Sequence, residues 1–149
     1  MSVRLATPDD LGTIRAMLRT HAKTESGVTT VVDSTDGLEQ ALAGATPTVS
    51  VTLVSMPQSP ETIAGLAMWY PTFSSWALSG GIWLEDLFVD DRYRNAGLGL
   101  ELMNDLRTRT AGRIEWDVSA GNEGAERFYR KLGAVAQSGW TTYRWLPAS

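Results

Sequence analysis

The chain has 149 residues, of which 43% are hydrophobic, and this size and composition predict one domain over residues 1–149 with a substantial core. It contains no cysteine and one histidine, which excludes thiol nucleophiles, disulfides, cysteine-based zinc sites and multi-histidine metal centres. The net charge of −4 argues against nucleic acid as the main partner. Because the first residues lack a signal-peptide pattern and no apolar run reaches the ~20 residues of a membrane helix, we expect a cytoplasmic protein without membrane contact.

The charge is unevenly distributed along the chain. Residues 1–91 hold 4 basic and 11 acidic side chains, whereas residues 92–149 hold 9 and 6. An acidic half beside a basic half could bind a cationic and an anionic ligand together, although ordinary surface charge explains the composition equally well.

Hydrophobic periodicity predicts strands and helices that alternate along the chain. Interleaved elements of this kind favour an α/β fold, in which a mixed sheet carries helices on both faces. The predicted order is a strand at 3–6, a helix from 8, a weaker helix at 34–43, strands at 48–55, 63–70 and 82–89, a helix at 97–110, a strand at 113–118, a helix at 123–132 and a strand at 140–145.

A turn with two glycines connects a buried strand to a helix within residues 87–99. It contains R-x-x-G-x-G as Arg94, Gly97 and Gly99. Free amides and the positive end of a helix dipole would meet there, as a phosphate group requires. The chain has no Walker A sequence, and Leu102 stands where a dinucleotide fingerprint needs its third glycine. Taken alone, the turn is also compatible with an ordinary helix start.

A second segment, residues 122–134, has the pattern of a well-capped amphipathic helix. Asn122 is a favoured N-cap residue, and Gly133 is a favoured residue just past a helix end. Considered by itself, this helix would use Tyr129 as a core aromatic residue.

Together, the two segments resemble the GNAT superfamily of acyl-CoA-dependent N-acetyltransferases. The order is strand, R-x-x-G-x-G, helix, strand, and then N-x-x-A-x-x-F-Y-x-x-x-G-A. The run LEDLFV at 84–89 is similar to a signature of the diamine branch, the spermidine/spermine and thialysine acetyltransferases, and residues 21–25, 70–76 and 139–144 carry further similarities. The resemblance implies an α/β GNAT fold with a mixed central sheet of about six to seven strands and helices on both faces.

Three positions depart from the pattern of that family. Asp91 stands where many members have proline, Gly121 replaces a frequent tryptophan, and Thr24 replaces a frequent tyrosine. The last two bear on the acceptor substrate, whereas Asp91 should have little effect on acetyl-CoA binding.

The resemblance implies a reaction in which acetyl-CoA donates its acetyl group to an amine. Glu85 would accept the amine proton, either directly or through water, and Tyr129 would be the general acid, since a phenol is protonated at neutral pH and can donate to a departing thiolate. No metal is implied. The residues implied to bind acetyl-CoA are Leu87, Phe88, Val89, Arg94, Asn95, Ala96, Gly97, Leu98, Gly99, Asn122, Phe128 and Lys131.

For the acceptor, we expect an anionic trough that suits a small amine with a second positive charge. Glu25, Glu85 and Asp86 would supply the charge, and Trp76 and Trp140 the apolar walls. Neighbouring residues of a strand point to opposite faces, so only a local bulge would let Glu85 and Asp86 reach one pocket.

Two other functions stay open at this point. The same fold could acetylate an aminoglycoside or a protein amino group, or it could bind acyl-CoA as a sensor without turnover. The resemblance also implies a homodimer, and we interpret His21, near the apolar face of the first helix, as a structural residue.

Overall fold

The computed structural model describes residues 2–26 and 35–148. The chain divides into two units, Met1–Trp116 and Asp117–Ser149. The sheet lies in the first unit, and the second contains a single helix among its described residues. The expectation of one domain over residues 1–149 stays a prediction.

The sheet of the first unit has five strands in sequential order. Neighbouring strands are antiparallel except for the last pair, which is parallel, so the sheet is mixed as predicted. The strands are β1 (Val3–Leu5), β2 (Ser50–Met56), β3 (Ser59–Ser74), β4 (Ser79–Val89) and β5 (Ile114–Glu115).

Four helices accompany the strands: α1 (Leu11–Ser26), α2 (Thr35–Ala43), α3 (Leu98–Arg109) and, in the second unit, α4 (Glu123–Lys131). A 3-10 turn at Pro8–Asp10 precedes α1. There the amide of Thr7 donates to the Asp10 carboxylate at 2.8 Å, which satisfies a donor that a helix start leaves free.

The first unit has helices on both faces of its sheet. Successive strand residues point to opposite faces, so the side chains of both faces need a covering layer. On one face, α1 packs against a core of alternate residues from β2, β3 and β4. On the other face lies α3, where the Arg109 guanidinium stands over the Trp69 ring at 5.6 Å. The α1-side core consists of Ile14, Met17, Leu18, Val51, Leu53, Leu66, Met68 and Phe88.

The α/β class and the mixed sheet are confirmed, but the described residues form five strands instead of six or seven. The strand predicted at 140–145 does not form, and Trp140, Tyr143 and Trp145 are 80%, 91% and 99% exposed. The strand predicted at 113–118 shortens to two residues. An alternating pattern shows only that residues could fit a sheet, whereas a strand also requires a partner edge for its backbone groups.

Candidate active site

A β-bulge interrupts β4 at the acidic pair. Met68 of β3 pairs with Asp86, but the next residue, Trp69, pairs with Leu84. Glu85 is therefore an extra residue in β4 without a counterpart in β3. A bulge of this type redirects the side chains beside it. It is the local irregularity that Glu85 and Asp86, as neighbours in one strand, need in order to reach the same pocket.

The bulge lets both acidic side chains lie on the α1 side of the sheet. The Oδ1 atom of Asp86 is 3.3 Å from Nε2 of His21 in α1. Glu85 accepts a hydrogen bond at 3.0 Å from the indole Nε1 of Trp83. Trp83 pairs with Tyr70, which lies on the α1-side face of β3. Two carboxylates on one side of a sheet form a local anionic surface.

His21, which the sequence analysis interpreted as a structural residue, is also a member of this cluster. Its ring packs against Phe88 with centroids 5.6 Å apart, and its side chain is 22% exposed. The helical spacing from the core residues Met17 and Leu18 was a signal that it would face the sheet. The pattern did not show that β4 would present Asp86 at this point.

Beyond the bulge, β4 has an edge that β5 does not cover. The two strands pair at only two positions of β4, Ile82 and Trp83. The amide of Asp90 donates back toward β3 at 2.8 Å. Because successive strand residues direct their backbone groups to alternate edges, Leu87 and Val89 direct theirs away from β3. An extended amide-containing chain such as pantetheine could hydrogen-bond along this edge.

The turn after β4 delivers backbone amides to the start of α3. Gly97 is its N-cap residue, with a left-handed φ of 78° and no side-chain cap on the helix. Asn95 also has a positive φ, of 64°. The turn is exposed from Arg94 to Gly97, whereas Leu98 is buried beneath it. Uncapped amides at the positive end of a 12-residue helix suit an anionic phosphate.

Two arginines of this turn are paired with neighbouring aspartates. The Nε atom of Arg94 lies 2.6 Å from Oδ1 of Asp91, and both side chains are exposed. Arg92 pairs with Asp90 at 2.7 Å, and its hydrogen bonds lower the pKa of the Asp90 carboxyl below the usual value. A phosphate bound at this turn would have to compete with Asp91, the departure from proline noted above, for Arg94, a contact that the expectation of little effect on acetyl-CoA binding did not include.

The second unit, described by itself, contains the helix α4. The Asn122 side chain accepts from the Ala125 amide at 3.1 Å and caps the helix, as predicted. Phe128 and Tyr129 are half-buried, and their rings meet edge to face with centroids 5.2 Å apart. Lys131 is exposed at the last turn.

Within the first unit, the predicted acceptor residue Trp76 lies away from the bulge. Trp76 is 88% exposed in the turn between β3 and β4, and six strand residues, or roughly 20 Å, separate the start of β4 from Glu85. Trp140 lies in the second unit and is 80% exposed. The side chain of Glu25 lies outside the described residues.

The first unit also has an open depression of about 490 Å³ at the end of α3, and none of the predicted site residues lines it. It is lined by Trp69, Pro71, Thr72, Ser79, Gly80, Gly81, Ile82, Arg109, Thr110, Ala111 and Gly112. Within residues 2–26 and 35–148, the structure contains no cluster of metal-ligating side chains. The same ranges contain no helix long and apolar enough to cross a bilayer.

Comparisons with known proteins converge on one family. Residues 21–134 match the model of the Acetyltransferase (GNAT) family. The chain is 23% identical to L-ornithine N5-acetyltransferase NATA1 of Arabidopsis thaliana, covering 95% of this chain and 82% of the relative. It is 26% identical to thialysine N-epsilon-acetyltransferase of Bos taurus, with 95% and 90% covered. A possible acetyltransferase from Clostridium difficile 630 has the same fold, with a TM-score of 0.83 at 20% identity over 99% and 97% of the two chains.

Proposed function

Since the chain belongs to the GNAT family of acetyltransferases, we propose that it transfers the acetyl group of acetyl-CoA to a primary amine of a small molecule. The acceptor would be a polyamine, thialysine or a related amino acid. The observation that carries this proposal is the bulge in β4, because it gathers Glu85 and Asp86 on one side of the sheet.

The acidic pair favours an acceptor with more than one positive charge. One ammonium must lose its proton before it can react, whereas a second can stay charged and bind a carboxylate. Relatives named for ornithine and thialysine support this acceptor class, since both compounds are diamino acids. Asp86 would hold the distal ammonium, while Glu25, Trp76 and Trp140 stay candidates for the remaining contacts.

The acetyl-CoA site would combine the open edge of β4 with the amides at the start of α3. Leu87, Phe88 and Val89 would hold the thioester and the pantetheine arm through their backbone groups. The pyrophosphate would lie against residues 94–99. In the second unit, Asn122, Phe128 and Lys131 are the candidate cofactor contacts.

In the proposed reaction, both substrates are bound when the amine nitrogen attacks the thioester carbonyl carbon. A C–N bond forms and the C–S bond breaks, which yields an amide and the CoA thiol. Glu85 is exposed, which favours a path for the amine proton through water to its carboxylate. The Tyr129 phenol would protonate the departing sulfur. Alignment of the two substrates contributes the larger part of such an acceleration.

The direct test is mass-spectrometric detection of acetylated product from acetyl-CoA and a panel of amines. The panel contains ornithine, thialysine, lysine, putrescine, spermidine, an aminoglycoside and a short peptide. We expect a small diamine or diamino acid to gain one acetyl group, and Glu85→Gln to slow that reaction by about 10²-fold. Acetylation of only the aminoglycoside or the peptide would overturn the acceptor class. Binding of acetyl-CoA without any product would favour the sensor function.

We further infer a homodimer and a cytoplasmic location. The exposed aromatic residues Trp140, Tyr143 and Trp145 support self-association, because large apolar side chains on a surface commonly mark an interface. Sedimentation analysis at micromolar concentration should give about 32 kDa, twice the 16.2 kDa mass of the chain. A monomer at that concentration would contradict the inference.

A further inference from the structure

His21 is the one histidine of the chain, and it contacts the acidic pair at the bulge. Its Nε2 atom is 3.3 Å from Asp86 Oδ1, and the two side chains are 22% and 27% exposed. The ring of Phe88, itself 5% exposed, borders the imidazole. The pair is therefore partly shielded from water but still open to a ligand.

Resting on the function proposed above, we propose that His21 sets the pH dependence of amine binding, because its imidazolium competes with the acceptor ammonium for the Asp86 carboxylate. His21 thus modulates amine affinity, and it takes no part in bond making.

The competition follows from charge. Imidazole is the side-chain group that commonly changes charge between about pH 5 and 8. With a neutral imidazole, Asp86 keeps its full negative charge and attracts the ammonium. With an imidazolium at the same carboxylate, the pair is neutral, and two cations would have to share one anion. Protonation of His21 and binding of the amine therefore oppose each other, so the KM for the amine rises as the pH falls.

Other charged groups also lie on α1 and on the elements packed against it. Asp9 and Asp10 lie beyond the opposite end of α1, where Arg4 binds Asp10 at 2.8 Å. Besides His21, the described charged groups of α1 itself are Arg15, Arg19 and Lys23. The elements packed against α1 carry the titratable groups Asp9, Asp10, Glu61, Tyr70, Glu85 and Asp86. Of the nearby acids, Glu85 is the neighbour of Asp86 in sequence and accepts its hydrogen bond from Trp83.

Steady-state kinetics test the proposal on the full chain with the best acceptor from the panel. We measure the factor by which the amine KM rises when the pH falls from about 8 to about 5.5. We expect this factor to be at least about three times larger in the wild type than in His21→Gln. The KM for acetyl-CoA should follow the same pH profile in both proteins. Lys23→Gln is the matched control, since it removes a cation two residues away, about 200° around the helix, without changing a group that titrates in this range.

A structural role for His21 makes a different prediction. If the ring only packs against Phe88, His21→Gln lowers stability and leaves the pH profile of the amine KM equal to that of the wild type. That result would overturn the proposal, as would an equal change of the profile in Lys23→Gln.

Nuclear magnetic resonance tests the same coupling without turnover. Because the chain has one histidine, its imidazole signal identifies His21 directly. Saturating 1,4-diaminobutane should lower the pH midpoint of that signal by about 0.5. Binding and protonation affect each other equally, and a threefold change in affinity corresponds to a shift of that size. Asp86→Asn should abolish the shift. An unmoved midpoint in the presence of bound diamine would overturn the proposal, whereas a shift without acetylated product would contradict only the proposed function.

Discussion

The left-handed turn at Gly97 gives a prediction whose magnitude comes directly from the backbone. Gly97 has a φ of 78°, and a Cβ atom built there meets no atom within 4 Å. Gly97→Ala therefore causes no steric clash with neighbouring groups, and its cost is the backbone strain alone. A left-handed conformation costs a residue with a Cβ roughly 1–2 kcal/mol, so we expect the free energy of unfolding to fall by about 1 kcal/mol.

Gly12 of α1 provides the matched control. A Cβ at Gly12 likewise meets nothing within 4 Å, but no positive φ occurs there. Gly12→Ala should therefore raise stability by about 0.5 kcal/mol, since alanine has the higher helix propensity. The two variants add the same methyl group to open space and differ in the backbone conformation that receives it.

Urea unfolding followed by tryptophan fluorescence measures both changes. Calorimetric titration with acetyl-CoA measures the functional consequence. In Gly97→Ala without acetyl-CoA, the turn can leave the strained left-handed conformation, and binding must then restore it. In that case the affinity for acetyl-CoA falls by about fivefold, the equivalent of about 1 kcal/mol. Equal stability of Gly97→Ala and Gly12→Ala would refute the assigned strain. Unchanged affinity beside reduced stability would mean either that the strained turn keeps its left-handed form without acetyl-CoA or that it lies outside the acetyl-CoA site.

Three further predictions concern single side chains. Tyr129→Phe should lower kcat by about 10²-fold while the calorimetric Kd for acetyl-CoA is unchanged, and an unchanged kcat would remove the phenol as the acid. Asp10→Asn should cost about 1 kcal/mol near neutral pH in urea unfolding. The hydrogen bonds from Arg4 lower the Asp10 pKa from 3.8 to about 2. This stabilisation is therefore present above about pH 4 and is lost as the pH falls toward 2. A stability difference between wild type and Asp10→Asn that is independent of pH would contradict this assignment. Asp91→Asn should release Arg94 and tighten acetyl-CoA binding by up to about threefold at low salt, an effect that high salt should remove; equal affinities at low salt would argue against competition.

Local patterns predicted the fold where neighbouring residues decide the structure. The helix start predicted near residue 8, the helix predicted at 97–110 and the cap at Asn122 all depend on contacts within a few residues, and all three are confirmed to within one or two residues. The strand expected at 140–145 was wrong for the opposite reason, because pairing depends on an edge elsewhere in the chain.

The amino-acid sequence determined the α/β class, the family and the chemical types of the candidate residues, since these follow from periodicity and from motifs read within short windows. Only the tertiary structure decided how Glu85 and Asp86 are directed. Their placement depends on the register between β3 and β4, where one unmatched residue turns both carboxylates toward α1. The pairing of His21 with Asp86 joins residues 65 positions apart, and it exists because packing of α1 on the sheet brings two half-buried polar groups to the same place.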